Sequence, residues 1–573
     1  MRKFLKLFLT LTSVITCTSV ISCSFFNNPK IFNGLITDKV PAEINKKYEL
    51  VTFQNESKEY SNLNKKNIKI YSSIKGGIPY INMNDFFNKF SDVFNISNIR
   101  LWKMNEYEYF YIFDNKFKII FNSKNNTISF YDENVFSIMK SPTNLDLNEH
   151  LSYVGFKPIN KDTQHARVFD FGKYNIQFYN IDNNTYIPLS IFNLLFFSKN
   201  YFNVFYNGKN LYGVDFLPMG EKYFKKLSIN KSDVIDDKYS AEFNKNFFLF
   251  VFDNFYGLKN KRQMNNGTEK FLIKKDWLKR LQSTDIKIRF DFYNEFVFGH
   301  LNELHSSVLN RSMLFGYESK IIANQSLSSK RNESNIIKQQ LINKAPYLKE
   351  KNKDFYIENN TVFIPIQSFD VGRKNDKLNA AQNDTYWKMY KIMDKIKKIK
   401  QPIKNIVIDL SLNGGGQLHA MQKLSGFIGK HKKIIASVDK FNNQGFVMEY
   451  LTDTNDDNRY NSLDGYDEYN WFILTGINTF SAANLFTHVA KQNNAKIIGN
   501  KTGGGMFSTI PIMLPDGTGL VISSNFGFTG VAKTPVKNID ELEWIEDGID
   551  VDINISYDDY YNFKEIDKLI NKQ

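Results

Sequence analysis

The chain has 573 residues, of which 42% are hydrophobic and 23% are charged, and its formal net charge is +14. This length predicts several domains, and the apolar content excludes a globally disordered chain. The lysines are scattered among asparagines and isoleucines rather than gathered into a stripe, so we expect no nucleic-acid partner.

The amino terminus has the pattern of an export signal. A short basic segment, Met1–Lys6, precedes an apolar stretch, Leu7–Val20, and Cys23 follows closely. This order resembles a bacterial lipoprotein signal with its lipobox. The resemblance implies removal of residues 1–22 and attachment of a lipid, such as palmitate, to the Cys23 thiol. We therefore expect the chain to be anchored in the lipid bilayer of the cell membrane, on its extracellular face. An ordinary signal peptide or an anchor helix is the alternative.

The cysteine positions limit the chemistry of the rest of the chain. The two cysteines, Cys17 and Cys23, both lie within the first 23 residues. A disulfide framework, a zinc finger and a cysteine nucleophile are therefore excluded from the rest of the chain. We expect neither a metal nor a cofactor in its chemistry.

Composition changes divide the region before the C-terminal domain into three predicted segments. Residues 23–66 are polar and predict a flexible tether. Residues 67–215 contain short β-rich runs separated by asparagine-rich turns, and two similar stretches, 77–90 and 185–197, indicate a duplicated unit of strand and helix. Residues 216–353 are rich in lysine and predict mainly helix.

Residues 354–573 alternate between continuous apolar runs and amphipathic helical patterns. This alternation predicts an α/β domain with a largely parallel sheet, whose functional loops lie at the carboxyl ends of the strands. The predicted strands are Thr361–Ile366, Asn405–Leu410, Trp471–Leu474 and Lys496–Gly499.

Two turns of this domain carry candidate chemistry. After one strand come Asn413 and three glycines, Gly414, Gly415 and Gly416, whose backbone N–H groups could approach a substrate oxygen. A tight structural turn is the alternative, and a phosphate loop lacks its Lys-Ser/Thr. After the next strand, Ser481 opens a helix, where it is either a nucleophile with the Ala482 amide as oxyanion donor or only a helix N-cap.

The order of the motifs resembles a known family. Asp409-Leu-Ser-Leu-Asn-Gly-Gly-Gly416 is followed by Phe480-Ser-Ala-Ala483, Ile-Ile-Gly-x-x-Thr-Gly-Gly, Pro-Asp-Gly and finally Asp547-Gly-Ile-Asp-Val-Asp552. This order is similar to that of the tail-specific, C-terminal-processing and tricorn-core serine peptidases, over residues 354–555. The resemblance implies a catalytic domain of the crotonase/ClpP-like, tricorn-core type, Ser481 as nucleophile, and protein or peptide substrates.

The resemblance also bears on the general base. Tail-specific members use a lysine whose position falls on Gly505 here, and Lys501 lies four residues too early. The tricorn-core branch takes its base from an upstream histidine. The segment Phe298–Ser307 resembles the Leu-x-Asp-x-His-Ser/Thr motif of that branch and aligns His305 as the base, with His300 as runner-up.

A serine mechanism also needs a third group that orients the base. The resemblance implies that a glutamate near the C-terminus has a related role, and Glu546 or Glu543 could provide it. The sequence thus predicts a membrane-anchored extracellular serine endopeptidase. The alternative is a surface lipoprotein whose peptidase fold is inactive and acts as a binding or adhesion module, which the missing lysine and Asn484, in place of an acidic residue, favour. No segment indicates a PDZ domain.

Overall fold

The computed structural model describes residues 30–140, 145, 147–159, 166–215, 226–229, 236–315, 323–350, 353–372, 380–439, 444–531 and 533–572. Cys23 and the predicted signal 1–22 lie outside the described residues, so lipid anchoring stays a prediction. Two compact units make up the chain. The first comprises the described parts of Met1–Thr143, Asp162–Ser328 and Thr509–Ser524, and the second those of Asn144–Lys161, Ser329–Ser508 and Asn525–Gln573.

The first unit contains a seven-stranded and a five-stranded sheet, as its β-rich sequence predicts. The seven-stranded sheet has the order Tyr179–Ile181, Asn184–Pro188, Pro79–Asn82, Lys66–Ser72, Glu49–Asn55, Leu211–Asp215 and Phe202–Tyr206. The five-stranded sheet has the order Ile99–Lys103, Glu108–Phe113, Phe117–Asn122, Thr127–Phe130 and Arg167–Asp170, joined by antiparallel pairing.

The two similar stretches of the sequence are neighbours in the seven-stranded sheet. Pro79–Asn82 pairs antiparallel with Asn184–Pro188, and each strand continues into a helix, Met83–Lys89 or Leu189–Phe196. Phenylalanine rings from both helices interlock in one core, where the rings of Phe87 and Phe192 have centroids 5.2 Å apart. The abundant phenylalanine of this chain therefore fills the interior between the repeated units.

The expected tether is folded along much of its length. Glu49–Asn55 pairs with Lys66–Ser72 and, in parallel, with Leu211–Asp215, while Ile31 and Phe32 are buried. The local composition is polar, but a partner strand more than 150 residues away along the chain provides the pairing. Sequence composition carries no sign of such a distant partner, and this explains the difference.

The remainder of the first unit is mainly helical. The helices are Lys238–Asn254, Thr268–Lys274, Leu278–Leu281 and Ile286–Asn294, followed by the π-helical turn Glu295–Leu301. Asn302 then adopts a left-handed conformation with φ 43°, which ends the helical path, and the strand Ser307–Asn310 begins. Because the helix ends there, His305 lies on the short connection before this strand.

The second unit is built on the predicted parallel sheet. Its order is Tyr356–Glu358, Thr361–Pro365, Asn405–Asp409, Asn470–Thr475, Lys496–Gly499 and Ile553–Asn554. The strands from Thr361–Pro365 onward run parallel. The helices are Ser329–Lys344, Ala380–Asn383, Thr385–Lys397, Leu418–Ser425, Ala482–Gln492 and Phe563–Asn571.

The second unit contains more of the chain than the predicted domain of residues 354–573. The helix Ser329–Lys344 contributes Leu341 to its core, and the strand Leu151–Ile159 pairs with Gln444–Thr452. Gln444–Thr452 also pairs with Lys433–Asp439, which in turn pairs with Phe526–Gly530. Within the described residues, no helix combines the length and apolarity needed to cross a membrane.

Candidate active site

Ser481 stands at a sharp turn between the strand Asn470–Thr475 and the helix Ala482–Gln492. Its backbone has φ 58° and ψ −122°, a combination that residues with a Cβ rarely adopt, and its side chain makes no capping hydrogen bond. Strain of this kind costs about 1–3 kcal/mol and clusters at functional sites. The half-buried hydroxyl is therefore not a helix cap and is presented by the turn in the manner of a nucleophile.

The triglycine loop lies directly against this turn. The Phe480 N–H donates to the Asn413 carbonyl over 3.1 Å. A Cβ added to Gly415, whose φ is +107°, would stand 2.8 Å from the Ser481 Cβ. Only glycine permits this approach, which identifies the loop as part of the site rather than as a remote structural turn.

Two kinds of amide are placed to stabilise an oxyanion. The N–H groups of Ala482, Gly414 and Gly416 donate to no acceptor among the residues that the structure describes. In contrast, the Gly415 N–H donates to the Asn413 side-chain oxygen over 2.8 Å. Ala482 together with Gly414 or Gly416 is thus the available donor pair, and Gly415 shapes the loop.

Glu546 supports the turn that holds Ser481. The Ser481 N–H donates to the Gly504 carbonyl over 2.9 Å, and the Gly505 N–H donates to the Glu546 carbonyl over 3.2 Å. The Glu546 carboxylate, 9% exposed, accepts the Met506 N–H over 2.7 Å. In these contacts Glu546 fixes a second glycine turn, Gly503–Gly505, behind the nucleophile.

The other C-terminal candidates have separate partners. The Glu543 carboxylate lies 3.4 Å from His488 Nε2, and burial lowers the pKa of that histidine. Asn484 is buried, donates to the Ile545 carbonyl and accepts the Thr502 hydroxyl over 2.6 Å. Asn484 therefore ties the nucleophile helix to the C-terminal segment, so an amide at this position need not signal lost activity.

A lysine base has no room in this site. A Cβ at Gly505, where the family lysine would stand, would lie 2.4 Å from the Phe480 ring. Lys501 is about half exposed and forms an ion pair with Asp550 over 3.0 Å. Position 505 therefore holds no lysine, and the packing of Phe480 also excludes a side chain from this position.

His305, in the first unit, is linked to a buried carboxylate through a serine. The Ser523 hydroxyl donates to Glu303 Oε2 over 2.6 Å, and its oxygen lies 3.5 Å from His305 Nδ1. Glu303 is 3% exposed, and its other oxygen accepts the Ser306 hydroxyl. Because Ser523 gives its proton to Glu303, its oxygen is set to accept the Nδ1–H of the imidazole.

Sequence reasoning did not identify Glu303 and Ser523. Glu303 stands at the acidic position of the Leu-x-Asp-x-His motif, and that was an available signal. Ser523 carries no local signal, because only the pairing of Ser307 with Val521 brings its strand beside His305.

His300, the runner-up base, is held by ring packing and by a backbone contact. Its ring stacks on Phe271 with centroids 4.5 Å apart, and its Nε2 lies 3.1 Å from the Arg262 carbonyl oxygen. Burial lowers the pKa of the His300 imidazole.

The strand-to-helix serine, its amide donors and the parallel sheet define a serine-hydrolase type of α/β domain. Residues 360–553 match the model of peptidase family S41, so this part of the chain is similar to that family. This match confirms the family resemblance that the ordered motifs indicated. No curated protein matches the chain.

Several solved structures resemble the chain at low identity. A putative peptidase from Parabacteroides merdae ATCC 43184 is 15% identical, with 58% of this chain and 95% of that chain covered and a TM-score of 0.37. A lipoprotein from Streptococcus agalactiae is 16% identical, with 59% and 99% covered and a TM-score of 0.32. Mature CPAF is 12% identical, with 59% and 98% covered and a TM-score of 0.38.

Proposed function

We propose that the protein is an active serine endopeptidase that forms an acyl-enzyme on Ser481. The observation that carries this proposal is the strained Ser481 backbone, with φ 58° and ψ −122° and a hydroxyl that does not cap its helix. A domain that served only for binding would gain nothing from retaining this strain. The substrates are proteins or peptides, the class on which the family acts.

His305 is the proposed general base. Its imidazole takes the Ser481 proton on Nε2 as the hydroxyl oxygen attacks the peptide carbonyl, and then returns it to the leaving amine. The Nδ1–H faces Ser523, which passes a hydrogen bond on to Glu303 and stabilises the imidazolium that forms.

The oxyanion is held by the Ala482 amide and one amide of the triglycine loop. Each donor of this kind is typically worth about 3–4 kcal/mol in the transition state. Water, activated by the same imidazole, then releases the acyl group from Ser481. Neither a metal nor a cofactor enters these steps.

A fluorophosphonate probe tests the proposal, because it reacts only with an activated serine. We expect stoichiometric labelling of the wild type, none of Ser481→Ala, and labelling slowed by orders of magnitude in His305→Ala. The Tm of Ser481→Ala serves as the control for folding, since one hydroxyl contributes about 1 kcal/mol. An unlabelled but well-folded wild type would instead support the binding or adhesion module.

We further propose that the chain is held at the extracellular face of the membrane through a lipid on Cys23. The support is the basic-apolar-Cys order of the first 23 residues. Incorporation of labelled palmitate should occur in the wild type and disappear in Cys23→Ala, with Cys17→Ala as the matched control. Equal incorporation in Cys23→Ala and wild type would refute the anchor.

A further inference from the structure

The five-stranded sheet of the first unit has one packed face and one open face. Tyr109, Ile119 and Ile128 point to the packed face and are 0% exposed. Because side chains alternate along a strand, the neighbours of these residues point to the opposite, outer face. On the outer face Trp102 is 59% exposed and Val168 is 48% exposed. The sheet therefore presents large apolar side chains to solvent.

Strand pairing aligns these side chains in one row across the sheet. Trp102 is opposite Phe110, which is opposite Ile120. The row continues through Ser129 to Val168 on the last strand. The Trp102 and Phe110 rings have centroids 5.9 Å apart. This apolar row crosses all five strands with a single polar member, and contiguous exposed apolar patches mark interaction surfaces.

The next row of the outer face is basic. Arg100 is opposite Ile112, and Ile112 is opposite Lys118. Tyr131 follows directly after the strand Thr127–Phe130 and is 58% exposed. This basic row therefore adds two cations and an aromatic ring along one side of the apolar row.

The acidic side chains of the outer face lie on the other side of the apolar row. Glu108 is opposite Asn122, and Asp170 is opposite Thr127. The charge of the face thus changes from basic to acidic across the sheet. Its basic side suits an anionic surface, and its acidic side does not.

The amino-terminal segment joins the sheet at its basic side. Phe32 forms a parallel bridge with Ile99, the residue before Arg100, and the Ile99 N–H donates to the Ile31 carbonyl over 2.6 Å. Nine residues along the chain separate Phe32 from Cys23. A segment of this length spans at most about 32 Å, so a lipid on Cys23 would hold the basic side within about that distance of the bilayer.

We propose that the outer face of the five-stranded sheet rests on an anionic lipid bilayer. The basic row contacts the headgroups, and the apolar row lies at the boundary with the acyl chains. Tryptophan and tyrosine suit this boundary, because each ring is apolar and carries one polar group. The inference rests on the proposed anchor at Cys23 and adds which side of the first unit faces the lipid. A lipid occupant also explains why the face adjoins the place where the anchored segment enters.

Co-sedimentation with vesicles tests the outer face in the absence of the anchor. The chain of residues 23–573 with Cys23→Ala retains every described residue and carries neither the signal nor a lipid. With vesicles of phosphatidylcholine and phosphatidylglycerol, we expect half of the protein to sediment at about 1 mM accessible lipid, which is weaker than the association of a single myristoyl chain. Vesicles of phosphatidylcholine alone should bind at least tenfold more weakly, since each cation near an anionic surface contributes about fivefold.

Two variants with matched controls identify the face. Trp102→Gln should weaken vesicle binding at least fivefold, whereas Ile74→Gln, at an exposed isoleucine outside this sheet, should change it by less than about 1.5-fold. Lys118→Gln should weaken binding to the anionic vesicles about fivefold, and Lys274→Gln, also at an exposed lysine, should leave it unchanged. The Tm of each variant checks folding, and Val168→Gln replaces Trp102→Gln if that variant is destabilised.

Equal vesicle affinity of the parent chain and the folded Trp102→Gln variant would overturn the inference. A dimer of the parent chain that Trp102→Gln converts to a monomer, measured by light scattering, would also overturn it, because the face would then bind a second copy. Vesicle binding that depends on Trp102, without palmitate incorporation in the wild type, would support the face and refute the Cys23 anchor. Palmitate incorporation without vesicle binding would refute the face alone.

Discussion

Substitution of the central glycine of the triglycine loop should disable the nucleophile while leaving the domain folded. A Cβ at Gly415 would lie 2.8 Å from the Ser481 Cβ, 2.9 Å from the Phe480 carbonyl oxygen and 3.0 Å from the Ala482 nitrogen. Two of these three atoms belong to the backbone, so the neighbouring turn has to move by several tenths of an ångström. The φ of +107° adds about 1–2 kcal/mol of strain for any residue with a side chain.

The consequence for activity follows from the required shift. A displacement of about 1 Å in a reacting group costs about 100-fold in rate, which corresponds to about 2.7 kcal/mol of transition-state free energy. For Gly415→Ala we therefore expect fluorophosphonate labelling to slow by about 10- to 100-fold and the Tm to fall by roughly 3–10 °C.

Gly414→Ala provides the contrast, because a Cβ there meets no atom within 4 Å. Its labelling rate should stay within about threefold of the wild type and its Tm within about 2 °C. Equal labelling rates for Gly415→Ala and Gly414→Ala, measured by gel fluorescence on folded protein, would refute the inferred contact between loop and nucleophile.

Three further predictions address the base and the core. Glu303→Gln should lower kcat and move the acid limb of the kcat/KM profile to lower pH, because the imidazolium of His305 loses a negative charge linked through Ser523. The control Glu295→Gln, a half-buried glutamate paired with Arg280, should leave the profile in place. Lys501→Met should retain peptidase activity within about twofold, since its ammonium pairs with Asp550, and loss of activity in that variant would contradict a histidine base. Burial raises the pKa of Asp409 from 3.8 to about 6, so the folded state binds its proton more tightly than the unfolded state. Stability should therefore fall by about 2 kcal/mol as pH rises from 4 to 7, and Asp409→Asn, followed by urea unfolding, should remove that slope.

The parts of the fold that could be predicted are those specified by adjacent residues. The strand Asn405–Asp409 is buried at all five positions, and its apolar centre Ile406–Ile408 makes it recognisable as a central parallel strand. Ser481 and the glycines are likewise recognisable because turn geometry depends on a few consecutive residues. In the same way, the short β-rich runs and asparagine-rich turns of the N-terminal region indicate hairpins, because the two strands of a hairpin are close in sequence.

The parts that could not be predicted depend on contacts between distant residues. Leu151–Ile159 pairs with Gln444–Thr452 almost 300 residues later, so its membership in the second unit has no local signature. Ser523 reaches Glu303 and His305 only because its strand adds to Ser307–Asn310.

The close approach of the Phe480 ring to Gly505 limits the substitutions that position 505 accepts. Regaining a lysine at position 505 by one substitution would drive its Cβ to within 2.4 Å of the Phe480 ring, so the order of mutations matters. The ring would have to shrink first, and loss of a buried aromatic side chain costs about 3–5 kcal/mol before any benefit arises. Two coupled substitutions, at positions 480 and 505, are therefore needed before a lysine side chain fits at this turn.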